Sequence, residues 1–430
     1  MTSINSELLV KWRREFHACP ETGWGEFWTT ARLITLLEDM GHQVLAGQQV
    51  VNPHFVQGRN PLIVEKFRQS ARDRGVSEHI LQRIGEYTGC AVVFNTGKPG
   101  PVVALRFEID CVNVTETTNS CHIPNQKHFA SANPGYMHAC GHDGHMAAGL
   151  GVAQWLTENR DLLKGTIKLV FQPAEEGVRG ARPVAESGIL DDVDYFACSH
   201  LGCDIPGGVL VAAPTRFLST QKIDIRFKGK SAHAGMDPDK GKNALAAACN
   251  ATLQLLSIPT HAEGMTRVNV GVLHAGEGRN VIPAFAEMQV EVRGENEKIN
   301  RYMAEEAMRR AKGVALSFDV ALETEIMGES VDFIPDDEMT EHVIAVARTL
   351  PSITAVQRTM AFNGSDDATI MIKKVQSHGG RAAYFVTGSD LKAGHHQSEF
   401  DIDEKQIMTV FLMFTGLLTR LSNQHISTKQ

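Results

Sequence analysis

Three histidines, a cysteine and an aspartate stand within eight residues of this chain, in the stretch GYMHACGHDGHMA that runs from Gly135 to Ala147. Imidazole, thiolate and carboxylate groups are the side chains that bind zinc and other transition metal ions in proteins. Any one of them alone is more often structural, as a hydrogen-bonded histidine or a small buried cysteine. The stretch therefore predicts a metal site only if further ligands come from elsewhere in the chain.

Further metal-binding side chains stand at the ends of three predicted strands, GTIKLVFQP, DYFACSHLG and AAYFVTG. They are Glu175, Glu176, His200, His395 and His396. In open α/β sheets, ligands bind in the crevice beyond the carboxyl ends of the strands. A solvated turn or a structural histidine is the ordinary interpretation of each residue by itself, but the shared position at strand ends favours a metal site. We expect these segments to meet the cysteine–histidine stretch at one rim of the sheet.

The length and composition limit the class of protein. A chain of 430 residues is too long for one compact core, so we expect two domains. The formal net charge of −8 argues against a nucleic-acid partner. Eight cysteines scattered singly predict reduced thiols in a cytoplasmic protein. The N-terminal residues lack the pattern of a signal peptide and no apolar run reaches membrane-spanning length, so we expect no membrane partner.

The elements that must position these residues follow two patterns. Helical periodicity alternates with near-continuous apolar strands in residues 1–218 and 331–430, which is typical of a buried, mostly parallel sheet. A polar stretch at about residues 51–88 contains two amphipathic helices and is interpreted as an insertion. Residues 219–330 run strand, helix, strand, strand, helix, strand, which is the order of a ferredoxin-like unit. We therefore predict an α/β fold in which a small α+β domain is inserted into a larger domain.

Several motifs resemble the amidohydrolase branch of the M20 metallopeptidases, which includes hydrolases of N-acyl and indole-acetyl amino acids. They occur in the same order over nearly the whole chain: RREFHACPETGWGEF, MHACGHDGHMAA, FQPAEEGVRGARPV, KGKSAHAGMDPDKGKNAL and GRNVIP. The resemblance implies a zinc-peptidase-like catalytic domain that binds two divalent metal ions, Mn²⁺ or Zn²⁺, per subunit. It also implies that the inserted ferredoxin-like domain is a lid through which subunits dimerise, either two copies of this chain or this chain and a related B subunit.

The function that the resemblance implies is hydrolysis of a linear amide C–N bond in a small molecule. The expected substrate is an aryl or acyl amide of glutamate, and the most specific expectation is p-aminobenzoyl-glutamate from folate breakdown. Other N-acyl amino acids or dipeptides are alternative substrates. A non-catalytic subunit or a binding protein that keeps only the fold is the alternative of another class, and the spare carboxylate of Glu175 beside the ligands argues against it.

The resemblance also implies roles for residues of the larger domain. It places the metal ligands on Cys140, His142, Glu176, His200 and His396. Glu175 matches the family's general base. Consecutive residues leaving a strand point in different directions, so one carboxylate can bind metal while its neighbour faces the water. Asp110 matches an aspartate that orients a ligand. Glu108 departs from the family, which has an aspartate at this position, so its role stays open. His145 lies a turn further along its helix and is interpreted as structural.

The predicted lid supplies further candidates. His233 in SAHAG resembles a histidine that reaches across the dimer to polarise the scissile carbonyl and stabilise the oxyanion. Asn280 in GRNVIP matches a lid residue near the substrate. Arg293 and Ser365 are candidates for binding a substrate carboxylate, a task that suits a guanidinium group geometrically. A solvated arginine at a strand end is the alternative interpretation of Arg293.

Overall fold

The computed structural model describes residues 4–424, and the chain divides into two compact units. The first unit comprises the residues up to Thr215, Phe333–Phe362 and the residues from Asp367 onward. The second unit comprises Arg216–Asp332 and Asn363–Asp366. Among the residues described, no helix is both long and apolar enough to cross a membrane.

Strands and helices alternate along most of the chain. The strands are β1 (Val44–Ala46), β2 (Cys90–Asn95), β3 (Val102–Glu108), β4 (Thr166–Gln172), β5 (Tyr195–Leu201), β6 (Val209–Thr215), β7 (Ser219–Lys228), β8 (Thr266–Ala275), β9 (Phe285–Gly294), β10 (Ala321–Ser330), β11 (Ala355–Ala361) and β12 (Arg381–Thr387). The helices are α1 (Ser6–His17), α2 (Phe27–Asp39), α3 (Pro61–Asp73), α4 (Glu78–Ile84), α5 (Ile123–Gln126), α6 (His142–Glu158), α7 (Ala181–Ala185), α8 (Ala244–Leu256), α9 (Glu297–Ser317), α10 (Asp337–Ala347), α11 (Ala368–Ser377) and α12 (Lys405–Leu421).

The first unit is built on an eight-stranded sheet in the order β1-β2-β4-β3-β5-β12-β6-β11. Strands β4, β3, β5 and β12 form a contiguous parallel block, whereas β1, β2 and β4 are joined antiparallel at one side and β6 joins β12 antiparallel at the other. The strands of the block are mostly apolar and almost entirely buried, as expected for a sheet covered on both faces. Their carboxyl ends consequently lie along one rim.

Helix α6 brings the cysteine–histidine stretch to this rim. Gly141 precedes the helix with a φ of 91°, a left-handed conformation that glycine adopts without strain. The turn separates Cys140 from His142, which is the first helical residue. Most of the helix is buried because it packs against α1, α12 and β3, so its N-terminal end is held at the rim.

The stretch interpreted as an insertion forms α3 and α4 in the first unit. Asn60 and Ser77 begin these helices as N-caps, since each side-chain oxygen accepts an amide N–H of the first turn. Val64, Phe67 and Ala71 are spaced to form one buried face of α3, which packs against α2. The insertion is therefore folded and packed, with a buried face of its own.

The second unit is a four-stranded antiparallel sheet in the order β10-β7-β9-β8, with α8 and α9 packed on one face. Along β9, Met288, Val290 and Val292 point into the core, while Glu291 and Arg293 lie on the opposite face. The order strand, helix, strand, strand, helix, strand is the ferredoxin-like one. The predicted α/β fold class, with a separate small α+β unit, is confirmed.

Candidate metal centre

The rim of the parallel block gathers the predicted metal-binding side chains of the first unit. They come from the ends of β3, β4 and β5, from the N-terminus of α6 and from the loop that follows β12. The residues are Asp110, Glu175, Glu176, His200, Cys140, His142, His395 and His396. Segments that are far apart in the sequence thus deliver sulfur, nitrogen and oxygen donors to one place.

Cys140, His142 and Glu176 form one group whose potential ligand atoms all lie within 4.8 Å of one another. His396 extends this group, since its Nε2 lies 3.3 Å from Glu176 Oε1. Apart from this ion-pair contact of Glu176, the buried atoms His142 Nε2 and Glu176 Oε1 have no hydrogen-bond partner among the described residues. A buried polar atom without a partner costs roughly 1–3 kcal/mol. A divalent cation between these atoms would satisfy both.

Cys140 also belongs to a second group, with His200 and His395, whose potential ligand atoms again lie within 4.8 Å of one another. Cys140 Sγ is 3.5 Å from His200 Nε2. A soft thiolate shared by two groups is suited to lie between two divalent cations. His395, which precedes the predicted ligand His396, completes this group. Its Nε2 accepts the amide N–H of Cys203 at 3.0 Å, so the proton of the neutral ring is on Nδ1 and the ring has no lone pair left for a cation.

Two backbone carbonyls orient the histidines of these groups. His142 Nδ1 donates to Asp110 O at 2.9 Å, and His200 Nδ1 donates to Leu201 O at 2.9 Å. Because Nδ1 carries the proton in both rings, a neutral ring presents the lone pair of Nε2 to a cation. Asp110 also accepts the amide N–H of Glu176 with its Oδ2 at 2.9 Å. One residue at the end of β3 therefore aligns two of the predicted ligands.

The electrostatics of the rim favour a bound cation. Burial raises the pKa of the Cys140 thiol well above its ordinary value, and the charges of Glu176 and Glu175 raise it further. Burial alone would lower the pKa of His142, but its hydrogen bond to Asp110 and the nearby carboxylates outweigh burial and raise the pKa to about 10. Cys140 and His142 therefore hold protons at a place where carboxylates concentrate negative charge. Binding of a metal ion releases protons from such ligands. The donor set and its charge fit a divalent cation.

Glu175 stands beside the ligands without belonging to either group that contains a cysteine. Its Oε2 is 3.8 Å from His142 Nε2, and only 9% of the residue is exposed. The turn that carries it is left-handed at Ala174, with a φ of 52°, and at Val178, with a φ of 57°. These conformations are uncommon for residues other than glycine. The turn gives Glu175 and Glu176 different neighbours, as a base and a ligand require.

Glu108 lies behind the rim, in an ion pair with the buried Arg106. Its other oxygen accepts the Nδ1–H of His145 at 2.9 Å, and His145 Nε2 accepts the amide N–H of Leu201 at 3.0 Å. Burial alone would raise the pKa of Glu108, but the charges of Arg106 and His145 lower it well below its ordinary value. Since hydrogen bonds occupy both ring nitrogens, His145 acts structurally at the end of β5, in agreement with its interpretation from sequence.

Arg106 is a residue that sequence reasoning missed. The guanidinium, in a residue that is 1% exposed, donates its Nε–H to Gln172 Oε1 at 2.8 Å and pairs with Asp367 at 3.1 Å. Asp367 in turn accepts the amide N–H groups of Gly180 and Ala181. The available signal was an arginine inside the apolar strand VVALRFEID, because a buried charge requires partners.

Two of the predicted lid residues lie side by side in the second unit. His233 is exposed, and its Nδ1 accepts the amide N–H groups of Gly235 at 3.2 Å and Met236 at 3.1 Å. The ring proton is therefore on Nε2, which makes this nitrogen a hydrogen-bond donor. The amide N–H of Ala234 donates to Asn280 O at 3.0 Å, so the His233 segment pairs with the Asn280 segment.

The other two predicted lid residues have structural partners within the second unit. Arg293 Nε and Nη2 donate to the carboxylate of Glu291 at 2.9 and 3.1 Å. Ser365 Oγ donates to Leu218 O at 2.8 Å. Binding of a substrate carboxylate by either residue stays a prediction.

Similarity to known proteins extends over most of the chain. Residues 104–420 match the family model described as Peptidase family M20/M25/M40. The chain is 54% identical to a Haemophilus influenzae protein named as a homolog of the A subunit of p-aminobenzoyl-glutamate hydrolase, over 97% of this chain and 99% of that protein. It is 42% identical to indole-3-acetyl-aspartic acid hydrolase of Enterobacter agglomerans, over 92% of each chain.

Solved structures share the fold. The crystal structure of an aminobenzoyl-glutamate utilization protein from Klebsiella pneumoniae matches with a TM-score of 0.82 and 34% identity, over 98% of this chain and 97% of that chain. A Bacillus subtilis protein described as a dinuclear metal-binding peptidase of family M20 matches with a TM-score of 0.66 and 25% identity, over 96% of this chain and 98% of that chain. The family match and the potential ligand groups of the rim both indicate a metal-binding hydrolase. The chain is therefore a metal-dependent amidohydrolase that belongs to peptidase family M20/M25/M40.

Proposed function

We propose that this chain hydrolyses the amide bond of p-aminobenzoyl-glutamate, releasing p-aminobenzoate and glutamate during folate breakdown in the cytoplasm. The observation that carries the proposal is the arrangement of the rim, where two groups of potential metal ligands share Cys140 and where Glu175 stands beside them as a separate carboxylate. The choice of substrate is supported by 54% identity to a relative named for this activity.

Two divalent cations, Mn²⁺ or Zn²⁺, fit the donor set of the rim. The proposed ligands are Cys140, His142, Glu176, His200 and His396. When bound, such cations supply Lewis acidity and lower the pKa of a coordinated water. The chain's own part is to hold the ligands ready, which His142 and His200 do through their hydrogen bonds to backbone carbonyls.

Glu175 is proposed as the general base. Its carboxylate takes a proton from the attacking water and returns that proton to the leaving nitrogen of the amide. The position of its Oε2, 3.8 Å from His142 Nε2, is close enough to reach a water beside the ligands. Asp110 keeps His142 and Glu176 in place while the proton moves.

His233 is proposed as the donor to the carbonyl oxygen of the scissile amide. Negative charge develops on this oxygen as water adds, and the Nε2–H of His233 stabilises it. Asn280 is proposed to contact the substrate, and Arg293 and Ser365 to bind a glutamate carboxylate. The active enzyme is proposed to be a dimer that forms through the second unit, with a second copy or a related B subunit. The relative's name describes one of the subunits of a hydrolase, which supports an enzyme of more than one subunit.

A second candidate activity is hydrolysis of an amide between an aromatic acyl group and aspartate. It is supported by 42% identity to a protein named indole-3-acetyl-aspartic acid hydrolase. Both substrate names join an aromatic acyl group to an acidic amino acid. The substrate class common to the two candidates is therefore an aryl-acyl amide of an acidic amino acid.

The test is a substrate panel with the purified chain, alone and with added Mn²⁺ or Zn²⁺. It contains p-aminobenzoyl-glutamate, indole-3-acetyl-aspartate, several N-acetyl amino acids and dipeptides. We expect metal-dependent release of p-aminobenzoate with the highest kcat/KM of the panel. A preference for indole-3-acetyl-aspartate would favour the second candidate. No hydrolysis of any member by metal-loaded protein, with or without a B subunit, would contradict the proposed activity.

A further inference from the structure

The insertion of residues 51–88 is tied to the turn that carries the proposed base and one proposed ligand. The connecting residue is Arg179, three positions after Glu176. Its Nε donates to Glu176 O at 2.9 Å, and its Nη1 donates to Gly58 O at 3.1 Å. One planar guanidinium therefore joins the backbone of a proposed ligand to the backbone of the insertion.

The surroundings of Arg179 fix this connection. Trp24, which is 1% exposed, donates its Nε1–H to Gln57 O at 2.8 Å, so the receiving loop is held by a buried side chain. Gly23 provides the room for the guanidinium. A Cβ at Gly23 would stand 2.4 Å from Arg179 Nη2 and 2.9 Å from Ala174 Cα. Even a methyl group here would displace either Arg179 or the turn.

A second link between the insertion and this turn runs through the buried Glu26. Its two carboxylate oxygens accept the amide N–H of Ala174 at 2.7 Å and the hydroxyl of Thr88 at 2.6 Å. A third link lies beyond the turn, where the amide N–H of Asn52 donates to Pro183 O at 2.9 Å. The insertion thus holds the turn from both sides.

The insertion also packs against the segment that leads to Cys140. The rings of Phe67 and Tyr136 meet edge to face with a centroid distance of 5.1 Å. Arg74 Nη2 donates to Asn133 Oδ1 at 2.9 Å. Tyr136 stands four positions before Cys140, so the insertion touches both ligand-bearing segments.

We propose that the insertion is a brace that positions the metal ligands, and that Arg179 is the positioning residue through which it acts on Glu176. This inference rests on the proposed metal site and goes beyond it by giving the insertion a task. The residues that orient metal ligands tune metal affinity and activity together. Loss of the brace should therefore weaken metal binding in protein that is still folded.

The test compares Arg179→Met with Arg72→Met. Methionine keeps an apolar stem but donates no hydrogen bond. Arg72 is a matched control because it pairs with Glu65 and Glu78, both within the insertion. We expect Arg179→Met to weaken Mn²⁺ or Zn²⁺ binding, measured by competition with a chelator, by about 10–100-fold. Its kcat should fall while KM changes little, and Arg72→Met should match the wild type in every measurement.

Two further variants separate positioning from general stability. Arg179→Lys keeps a cation and a donor that can reach one of the two carbonyls, so we expect an intermediate metal affinity. Arg179→Ala leaves a cavity, and added ethylguanidinium should restore metal affinity by filling it. A loss caused only by a less stable fold would not be restored in this way. If Arg179→Met does not fold, Arg179→Lys carries the test.

Metal affinity in Arg179→Met equal to that of the wild type and of Arg72→Met would overturn the proposal. So would a loss of affinity that follows the melting temperature and that ethylguanidinium does not restore. Metal affinity is measured without substrate. If the chain binds metal but does not hydrolyse p-aminobenzoyl-glutamate, the proposed function is contradicted. The effect of Arg179→Met on metal affinity can still be measured in that case.

Discussion

The rim histidines of the first unit and His233 of the second unit differ in the way the backbone engages their rings. His142 and His200 donate Nδ1–H to backbone carbonyls, so that a neutral ring offers the lone pair of Nε2. His233 accepts two amide N–H groups at Nδ1, so that its Nε2 carries the proton. A lone pair binds a cation, whereas an N–H group stabilises a developing negative charge. Local backbone geometry thus separates the proposed ligands from the proposed donor.

The two regions also differ in burial. The proposed ligands Cys140 and His200 are 9% and 7% exposed, whereas Met236 in the His233 loop is 73% exposed; the exception at the rim is His396, whose side chain is 53% exposed. Buried ligands keep a fixed geometry around a cation, while an exposed loop can meet a substrate that enters from solvent. Substitutions of the proposed rim ligands should therefore change metal content and activity together. Substitutions in the His233 loop should change activity alone.

The largest effect is expected from the cysteine that both ligand groups contain. Cys140→Ala removes this donor, and His200→Ala removes a donor of the second group. In both variants, bound metal measured by elemental analysis and amide hydrolysis should fall to background. Cys121→Ala, which changes an exposed cysteine of the same unit, is the control and should keep both. Full metal content with full activity in both ligand variants would place the site elsewhere.

A large effect on activity alone is expected from His233→Ala. Removing one oxyanion donor typically lowers kcat by about 10²–10³-fold, and the metal content should not change. His261→Ala is the control, because His261 in the same unit also accepts an amide N–H at Nδ1, from Glu263 at 3.1 Å. Loss of bound metal in His233→Ala would contradict the proposal that His233 acts in the reaction without binding metal.

Mixing two inactive variants tests which chain of the proposed dimer supplies the donor. His233→Ala and Glu175→Gln chains that exchange would form hybrid dimers with one site that has an intact base and a histidine from the neighbour. Activity should then return in part. Exchange proved by mass spectrometry without any return of activity would mean that His233 does not act across the dimer. If the natural partner is a B subunit, the same pair of variants is tested against that chain.

A smaller effect is expected from Glu108, which acts on the rim through His145. Glu108→Gln leaves Arg106 without this anion, so we expect metal affinity to fall by about 10–100-fold. Glu108→Asp keeps the charge on a shorter side chain and should lie between this variant and the wild type. Competition with a chelator gives the affinity, and the melting temperature separates it from loss of fold. Unchanged affinity in folded Glu108→Gln would exclude a positioning role for Glu108.

The smallest effect concerns stability and pH. Burial raises the pKa of Glu26 from 4.5 to about 8, and the charge of Asp110 contributes. Between pH 4.5 and about pH 8, the folded state holds a proton that the unfolded state has released, so the free energy of unfolding falls as pH rises. Glutamine at position 26 cannot ionise. As the pH rises, the melting temperature of metal-free Glu26→Gln should therefore fall less than that of the metal-free wild type. Burial raises the pKa of Glu21 to about 7, so part of the fall in melting temperature with pH remains in both proteins. An equal fall in the wild type and in Glu26→Gln would contradict the raised pKa of Glu26.

The placement of the rim could be predicted because it depends on local patterns. Apolar runs mark β4 and β5, and the carboxyl ends of parallel strands meet at one edge, which brings Glu176 and His200 into two ligand groups that share Cys140. The fold class followed from the same periodicities. By contrast, β11 was not identified, because three consecutive polar residues interrupt its sequence AVQRTMA, which lacks the near-continuous apolar run of the buried strands.

The remaining features depend on contacts between distant residues. Nothing near Arg179 in the sequence points to Gly58, its hydrogen-bond partner across the insertion. The backbone of Ala174 is left-handed, a conformation that a glycine usually marks in a sequence, but this position is an alanine. The tautomer of His233 depends on the amide N–H groups of the turn that follows it, which the residue types alone do not specify.

The most direct test of the rim compares two neighbouring carboxylates, through Glu175→Gln and Glu176→Gln. Each variant is measured for bound metal by elemental analysis and for kcat on p-aminobenzoyl-glutamate. We predict that Glu175→Gln retains its metal and loses at least about a hundredfold in kcat, the usual scale for a general base. Glu176→Gln should lose metal as well as activity. Near-normal turnover in Glu175→Gln, or the same metal loss in both variants, would contradict the division of these residues into base and ligand.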